Sequence, residues 1–95
     1  MRVTVYSTKS FERPFLAEAA ARLNLEPVFV EFPLEPSTVS LARGSEAICA
    51  FVNDDLSAPV LHLLAELGVR NIALRCAGFN SVHLETARQL NFSIA

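Results

Sequence analysis

Glycine is scarce in this chain: Gly44, Gly68 and Gly78 are the only three, and none lies close to another. A dinucleotide loop needs several glycines within a few residues, so that a tight turn can form and backbone N–H groups can approach a pyrophosphate. That fingerprint is excluded. Cysteine is rarer still: Cys49 and Cys76 make neither a C-x-x-C redox pair nor a zinc-ligand doublet, and His62 and His83 add no ligand spacing to them. Both read as free thiols, and Cys49, inside the apolar run Ala47-Ile48-Cys49-Ala50-Phe51, reads as a buried structural one. Long hydrophobic runs are missing as well. Met1 to Tyr6 passes straight into Ser7-Thr8-Lys9, too short a stretch for a signal peptide or a membrane span, so a cytoplasmic protein with no membrane partner is expected. Nor is there a basic cluster: eight Lys and Arg against ten Asp and Glu leave a formal charge of -2, and nucleic acid is not an expected partner.

What the chain does have is core-forming material. Of its 95 residues 52% are hydrophobic and 19% charged, enough for one small domain of modest stability. Val3 to Tyr6 is a β-branched and aromatic run ended by the polar Ser7-Thr8-Lys9-Ser10, a first strand. From Phe11 onward, Phe15, Leu16, Ala19, Ala20 and Leu23 recur at helical spacing, with Glu12, Glu18 and Arg22 elsewhere on the wheel, which predicts an amphipathic helix with Pro14 in its first turn. Pro27 to Phe32 reads as a second strand, Pro36 to Arg43 as a short helix ended by Gly44, and Ala47 to Val52 as the uninterrupted apolar run of a central parallel strand. Ser57 caps a helix through Leu67, with Pro59 in its first turn, Gly68 after its end and Val60, Leu61, Leu64 and Leu67 as its buried stripe. Asn71 to Leu74 is a fourth strand, Val82 to Leu90 a further amphipathic helix, and Phe92 to Ala95 begins a fifth strand that stops, so the ending reads as cut.

Strands alternating with helices at this spacing predict an α/β fold: a flavodoxin-like parallel sheet of order 2-1-3-4-5, its last strand truncated, with helices on both faces. Ligands of such sheets bind at the carboxyl ends of the strands, which selects the loops Ser7–Ser10, Asn53–Leu56 and Cys76–Ser81. Gly78 stands between a strand and a helix, where backbone N–H groups can approach a ligand and a helix N-terminus favours an anion. A carboxylate suits that loop, and so does a plain strand-to-helix turn. Asn53-Asp54-Asp55 offers oxygen ligands, but three consecutive side chains do not easily surround one ion. The segment reads as a solvated turn whose Asn and Asp bond their own backbone, and no metal site is expected. Ser7-Thr8-Lys9-Ser10 has hydroxyls and a cation but no glycine, and reads as helix capping rather than as a phosphate loop. His62 on a helix and His83 in the first turn of the last helix have no nucleophile or carboxylate partner, so no catalytic dyad is visible.

Three stretches together carry a resemblance: Val5-Tyr6-Ser7-Thr8-Lys9, Glu46-Ala47-Ile48-Cys49-Ala50-Phe51-Val52-Asn53-Asp54-Asp55, and Leu74-Arg75-Cys76-Ala77-Gly78-Phe79-Asn80. In order and separation they resemble the fermentative NAD-dependent D-lactate dehydrogenases of the D-isomer-specific 2-hydroxyacid dehydrogenase family. The resemblance implies that residues 1–95 form an incomplete substrate-binding (catalytic) domain, completed in the family by a return of the chain after an NAD-binding domain that is absent here. It implies that the backbone amides of Ala77 and Gly78 hold the carboxylate of pyruvate or lactate, a small 2-keto or 2-hydroxy acid, with Phe51 on the wall of the pocket. NAD is implied for the full-length family, with no cofactor bound by this chain. The family's orienting arginine and its histidine–glutamate pair come from later sequence, so no catalytic role falls on Arg75, His62 or His83. One departure concerns His83, which stands where the family places an acidic residue, three positions after Asn80. It weakens the expected capping box by about 1 kcal/mol.

The chain is therefore expected to be the N-terminal substrate-binding part of a D-lactate dehydrogenase, inactive in isolation, and to self-associate through apolar surface that a returning segment would cover. The alternative is a stand-alone small-carboxylate-binding or regulatory module without catalysis. A response-regulator receiver shares the sheet order but needs acidic residues for Mg²⁺ after the first strand, where Ser7 and Thr8 stand.

Overall fold

The computed structural model describes residues 1–52, 54–75 and 82–95. Five strands, β1 (Arg2–Val5), β2 (Glu26–Phe29), β3 (Ala47–Ala50), β4 (Asn71–Leu74) and β5 (Ser93–Ile94), form one parallel sheet in the order β2-β1-β3-β4-β5. The expected fold class and strand order are thus found. Helices α1 (Arg13–Arg22), α2 (Ala58–Glu66) and α3 (Leu84–Gln89), with a 3₁₀ helix over Pro36–Ala42, make the crossovers.

Alternation along each strand divides the core in two. Tyr6, Ile48, Ala50 and Ile72 face the 3₁₀ helix, α2 and α3, packing with Leu34, Val39, Val60, Leu61 and Leu64 in one contiguous cluster. Each large aliphatic side chain buried there contributes about 1.5–3 kcal/mol. Leucine and alanine supply most of α2, Pro59 sits in its first turn, and Gly68 follows it at φ 92°, where any other residue would be strained. Ser57 occupies the N-cap position without a side-chain cap bond. The opposite face holds a smaller cluster of Val3, Val5 and Ala47, against which Leu16, Leu25, Phe29 and Cys49 pack.

That smaller side is where burial departs from expectation. The apolar stripe of α1 has the right period, yet of Phe15, Leu16, Ala19, Ala20 and Leu23 only Ala20 is buried and Leu16 half-buried, while Phe15 is 74% and Leu23 68% exposed. Helix α1 packs over the β2 edge, and among the described residues no element lies beside it over β3, β4 and β5. Ala73, on the same side as Cys49 in register, is consequently exposed although β4 is an interior strand. An apolar cleft of about 140 Å³ opens there, lined by Val5, Leu16, Leu23, Cys49 and Ala73.

Several strand ends differ from expectation, β2 covering Glu26–Phe29 rather than Pro27 to Phe32, and two further boundaries move for local reasons. β3 ends at Ala50 rather than Val52 because the Phe51 N–H turns away to the Asp54 carboxylate at 2.7 Å. α3 begins at Leu84 rather than Val82 because Val82 makes a parallel bridge with Leu56 and the His83 N–H donates to the Leu56 carbonyl at 3.1 Å. No helix among the described residues is long and apolar enough to cross a membrane.

Candidate functional site at the strand ends

The carboxyl ends of β1, β3 and β4 are tied together by two charged side chains. Asp54 is 3% exposed, and its carboxylate accepts three hydrogen bonds: Oδ1 from Ser7 Oγ at 2.6 Å and from the Leu34 N–H at 2.9 Å, and Oδ2 from the Phe51 N–H at 2.7 Å. A buried carboxylate needs such donors, and three of them from three separate segments make it a node. The expected solvated turn is therefore corrected: Asp54 does bond backbone close by, as expected of such a turn, but from inside the protein. Ser7, which holds a φ of 54°, is kept in that left-handed conformation with its hydroxyl on Asp54.

Arg75 is the second node. Its Nη2 donates to the Tyr6 carbonyl at 2.6 Å and the Ser7 carbonyl at 3.2 Å, and its Nη1 lies 3.9 Å from Glu12 Oε2. The guanidinium carbon stands 5.3 Å from the centroid of the Phe51 ring, a cation–π contact. Phe51 is thus fixed twice, its N–H by Asp54 and its ring by Arg75. Beneath this layer the Tyr6 hydroxyl donates to the Thr38 carbonyl at 2.9 Å, and burial, aided by the nearby Asp54 charge, pushes the phenol up to about 12. Burial also pushes the Cys49 thiol up, against the attraction of Arg75 and with the help of Asp54 and Glu12, which disfavours the thiolate; the thiol is free, and half-buried rather than buried as expected, because its side of the sheet is only partly covered.

Of the residues expected to bind substrate, Phe51 is in this layer, whereas Ala77 and Gly78, together with Asn53, Cys76 and Asn80, lie outside the described residues. The segments flanking the Gly78 loop are described. It leaves from Arg75 and re-enters at Val82, beside Leu56, so both its ends are at the strand-end site. In the helix that follows His83 is the N-cap of α3, and its Nδ1 accepts from the Thr86 N–H at 3.3 Å. The expected capping box involves Asn80, which lies outside the described residues; among them the cap of α3 is His83.

Ser7 to Ser10 do not cap α1 either. Its N-cap is Glu12, which has no side-chain cap bond there and whose Oε1 instead accepts from the Lys9 N–H at 2.9 Å. Thr8 Oγ1 donates back to the Val5 carbonyl at 2.7 Å. His62 is exposed on α2, away from the strand ends, and among the described residues no three His, Cys, Asp or Glu side chains are grouped to hold a metal ion. The roles of Asp54 and Arg75 were missed from sequence. A signal for the first existed in its place three residues after Phe51 at the end of an apolar strand, where an Asp can reach back to backbone; Arg75 gave none beyond its position after β4.

Comparison with known proteins points one way. The profile described as D-isomer specific 2-hydroxyacid dehydrogenase, catalytic domain, matches residues 3–95. A 2-hydroxyacid dehydrogenase homolog of Haemophilus influenzae is 46% identical over 99% of this chain and 28% of its own length. The D-lactate dehydrogenase of Escherichia coli is 45% identical over 99% of this chain and 29% of its own length. The apo-structure of the Escherichia coli enzyme superposes with a TM-score of 0.94, covering 99% of this chain and 30% of that one. The chain spans less than a third of the length of these relatives.

Proposed function

Because the chain belongs to the D-isomer specific 2-hydroxyacid dehydrogenase family, we propose that it is the N-terminal, substrate-binding part of an NAD-dependent D-lactate dehydrogenase and that in isolation it does not turn over. The observation that supports this best is the convergence of Ser7, Phe51 and Arg75 at the carboxyl edge of the sheet, beside both ends of the Gly78 loop. In this reading residues 1–95 are an incomplete substrate-binding domain, and the amides of Ala77 and Gly78 hold the carboxylate of pyruvate or D-lactate. Backbone amides suit that task because they are fixed donors whose geometry does not depend on a side-chain rotamer. Phe51, stacked by Arg75, forms the apolar wall that keeps water from the bound keto acid.

In this reading NAD is not held by this chain: among the described residues the glycines Gly44 and Gly68 precede β3 and β4, at the opposite end of the sheet from this site. Hydride transfer and the proton that accompanies it belong, in this reading, to parts of a longer protein, while this chain binds and orients the acid.

The test is to join residues 1–95 to the remaining segment of the Escherichia coli D-lactate dehydrogenase, at the junction their alignment gives, and to follow NADH oxidation with pyruvate. The joined protein is expected to turn over and the 95-residue chain alone is not. A folded but inactive joined protein overturns the reading. Tight oxamate binding by the chain alone, seen by calorimetry, would make it a self-sufficient binding module instead.

A further inference from the structure

Arg75 is an unusual residue to find at the end of β4. Its side chain is only 12% exposed, and its Nε and Nη1 are buried without a hydrogen-bond partner among the described residues. An incompletely paired buried guanidinium is unfavourable for folding, so its presence asks for a compensating role. The sheet order supplies one. β4 and β1 are not neighbours; β3 lies between them, and adjacent strands are about 4.8 Å apart. To reach the Tyr6 and Ser7 carbonyls beyond β1, Arg75 passes over the end of β3, where Phe51 stands, and lies against its ring.

One planar group thus sets the distance between three strand-end segments. Asp54 holds two of the same residues through other atoms, the Ser7 hydroxyl and the Phe51 N–H. Together they close a ring: Arg75 to the Ser7 carbonyl, Ser7 Oγ to Asp54, Asp54 to the Phe51 N–H, and the Phe51 ring back to Arg75.

We propose that Arg75 is a positioning residue of the substrate site: clamped on the Tyr6 and Ser7 carbonyls just after β1, it holds the Phe51 ring in place as the pocket wall, without touching substrate itself. This rests on the functional reading above. Lysine is not an equivalent, because an ammonium can reach a carbonyl but has no plane to lay against the ring.

The test uses residues 1–95 joined to the remaining segment of the Escherichia coli D-lactate dehydrogenase, with pyruvate and NADH varied separately. R75M is expected to raise KM for pyruvate roughly 10-fold or more, as displaced binding groups do, with KM for NADH unchanged. R75K should recover part of the loss. In an F51A background R75M should add far less than it does alone, since the group it positions is gone. An unchanged KM for pyruvate alongside a lowered melting temperature would make Arg75 a structural staple, and fully additive effects of R75M and F51A would deny that it acts through Phe51; either overturns the inference. If R75M does not fold, R75K and its combination with F51A carry the same comparison. A joined protein with residues 1–95 unaltered that does not reduce pyruvate overturns the functional reading, and this inference with it, before any variant is made.

Discussion

Tyr6 is the only tyrosine of the chain, and there is no tryptophan, so its ionisation can be followed by absorbance without interference. Its ring is fully buried and its hydroxyl is satisfied by the Thr38 carbonyl. Burial first, and the Asp54 charge second, push its phenol from 10.0 up to about 12. The folded state therefore keeps its proton where the unfolded chain has lost it. The resulting contribution to stability is fully present below pH 10.0 and is lost as pH rises from there through about 12. The loss amounts to something on the order of 2–3 kcal/mol. Phenolate absorbance is expected to titrate near 12 in the folded chain and near 10 in urea, with melting temperature falling over the same window. A folded-state midpoint near 10 would mean that Tyr6 is not enclosed. Asp54, close by, shows the limit of reading single residues: its sequence neighbourhood, Asn53-Asp54-Asp55, is that of a polar surface turn. What buries it is the arrival of Ser7 and Leu34, which are 47 and 20 positions away.

At the scale of elements, the sequence pattern located β4 to the residue and picked out Val60, Leu61 and Leu64 as the buried stripe of α2, which packs inside the larger core of the same chain. α1 shows the converse. Its 3.6-residue pattern was legible, but which of its apolar residues are buried depends on what packs beside it, and a pattern carries no information about a neighbour. The helix after the Gly78 loop was legible in kind and displaced at its start, since the competing Leu56–Val82 bridge is a long-range contact. That displacement makes His83 the cap of α3, by a ring nitrogen at 3.3 Å from the Thr86 N–H. Aspartate can make the same bond with a shorter side chain and adds a negative charge at the helix N-terminus. His83→Asp is therefore expected to stabilise the chain by about 0.5–1 kcal/mol. It should appear as a higher urea midpoint with an unchanged slope, and an unchanged or lower midpoint would show that the cap contributes nothing.

For the whole molecule the decisive asymmetry is between the two faces of the sheet. Parallel sheets are found almost only with both faces covered, yet among the described residues the side bearing Cys49 and Ala73 has α1 alone, placed toward β2. The apolar cleft of about 140 Å³ on that side is lined by Ala73, Cys49 and, from α1, by Leu23, which is 68% exposed, while Phe15 of the same helix is 74% exposed. On the proposed reading a later segment covers this face; for the isolated chain a second copy is the available apolar partner, because a two-fold axis sets the same patch of two copies against each other. Sedimentation of the 95-residue chain is expected to show mass rising with concentration. The pair Phe15→Lys and Leu23→Lys should return it to monomer while changing unfolding stability little, because substitutions at exposed positions away from special features stay within about 0.5 kcal/mol. A chain that sediments as a monomer at every concentration would mean that this face is tolerated in water. A chain whose association survives both lysines would place the contact elsewhere, and in either case the link between the bare sheet and a missing cover would have to be given up.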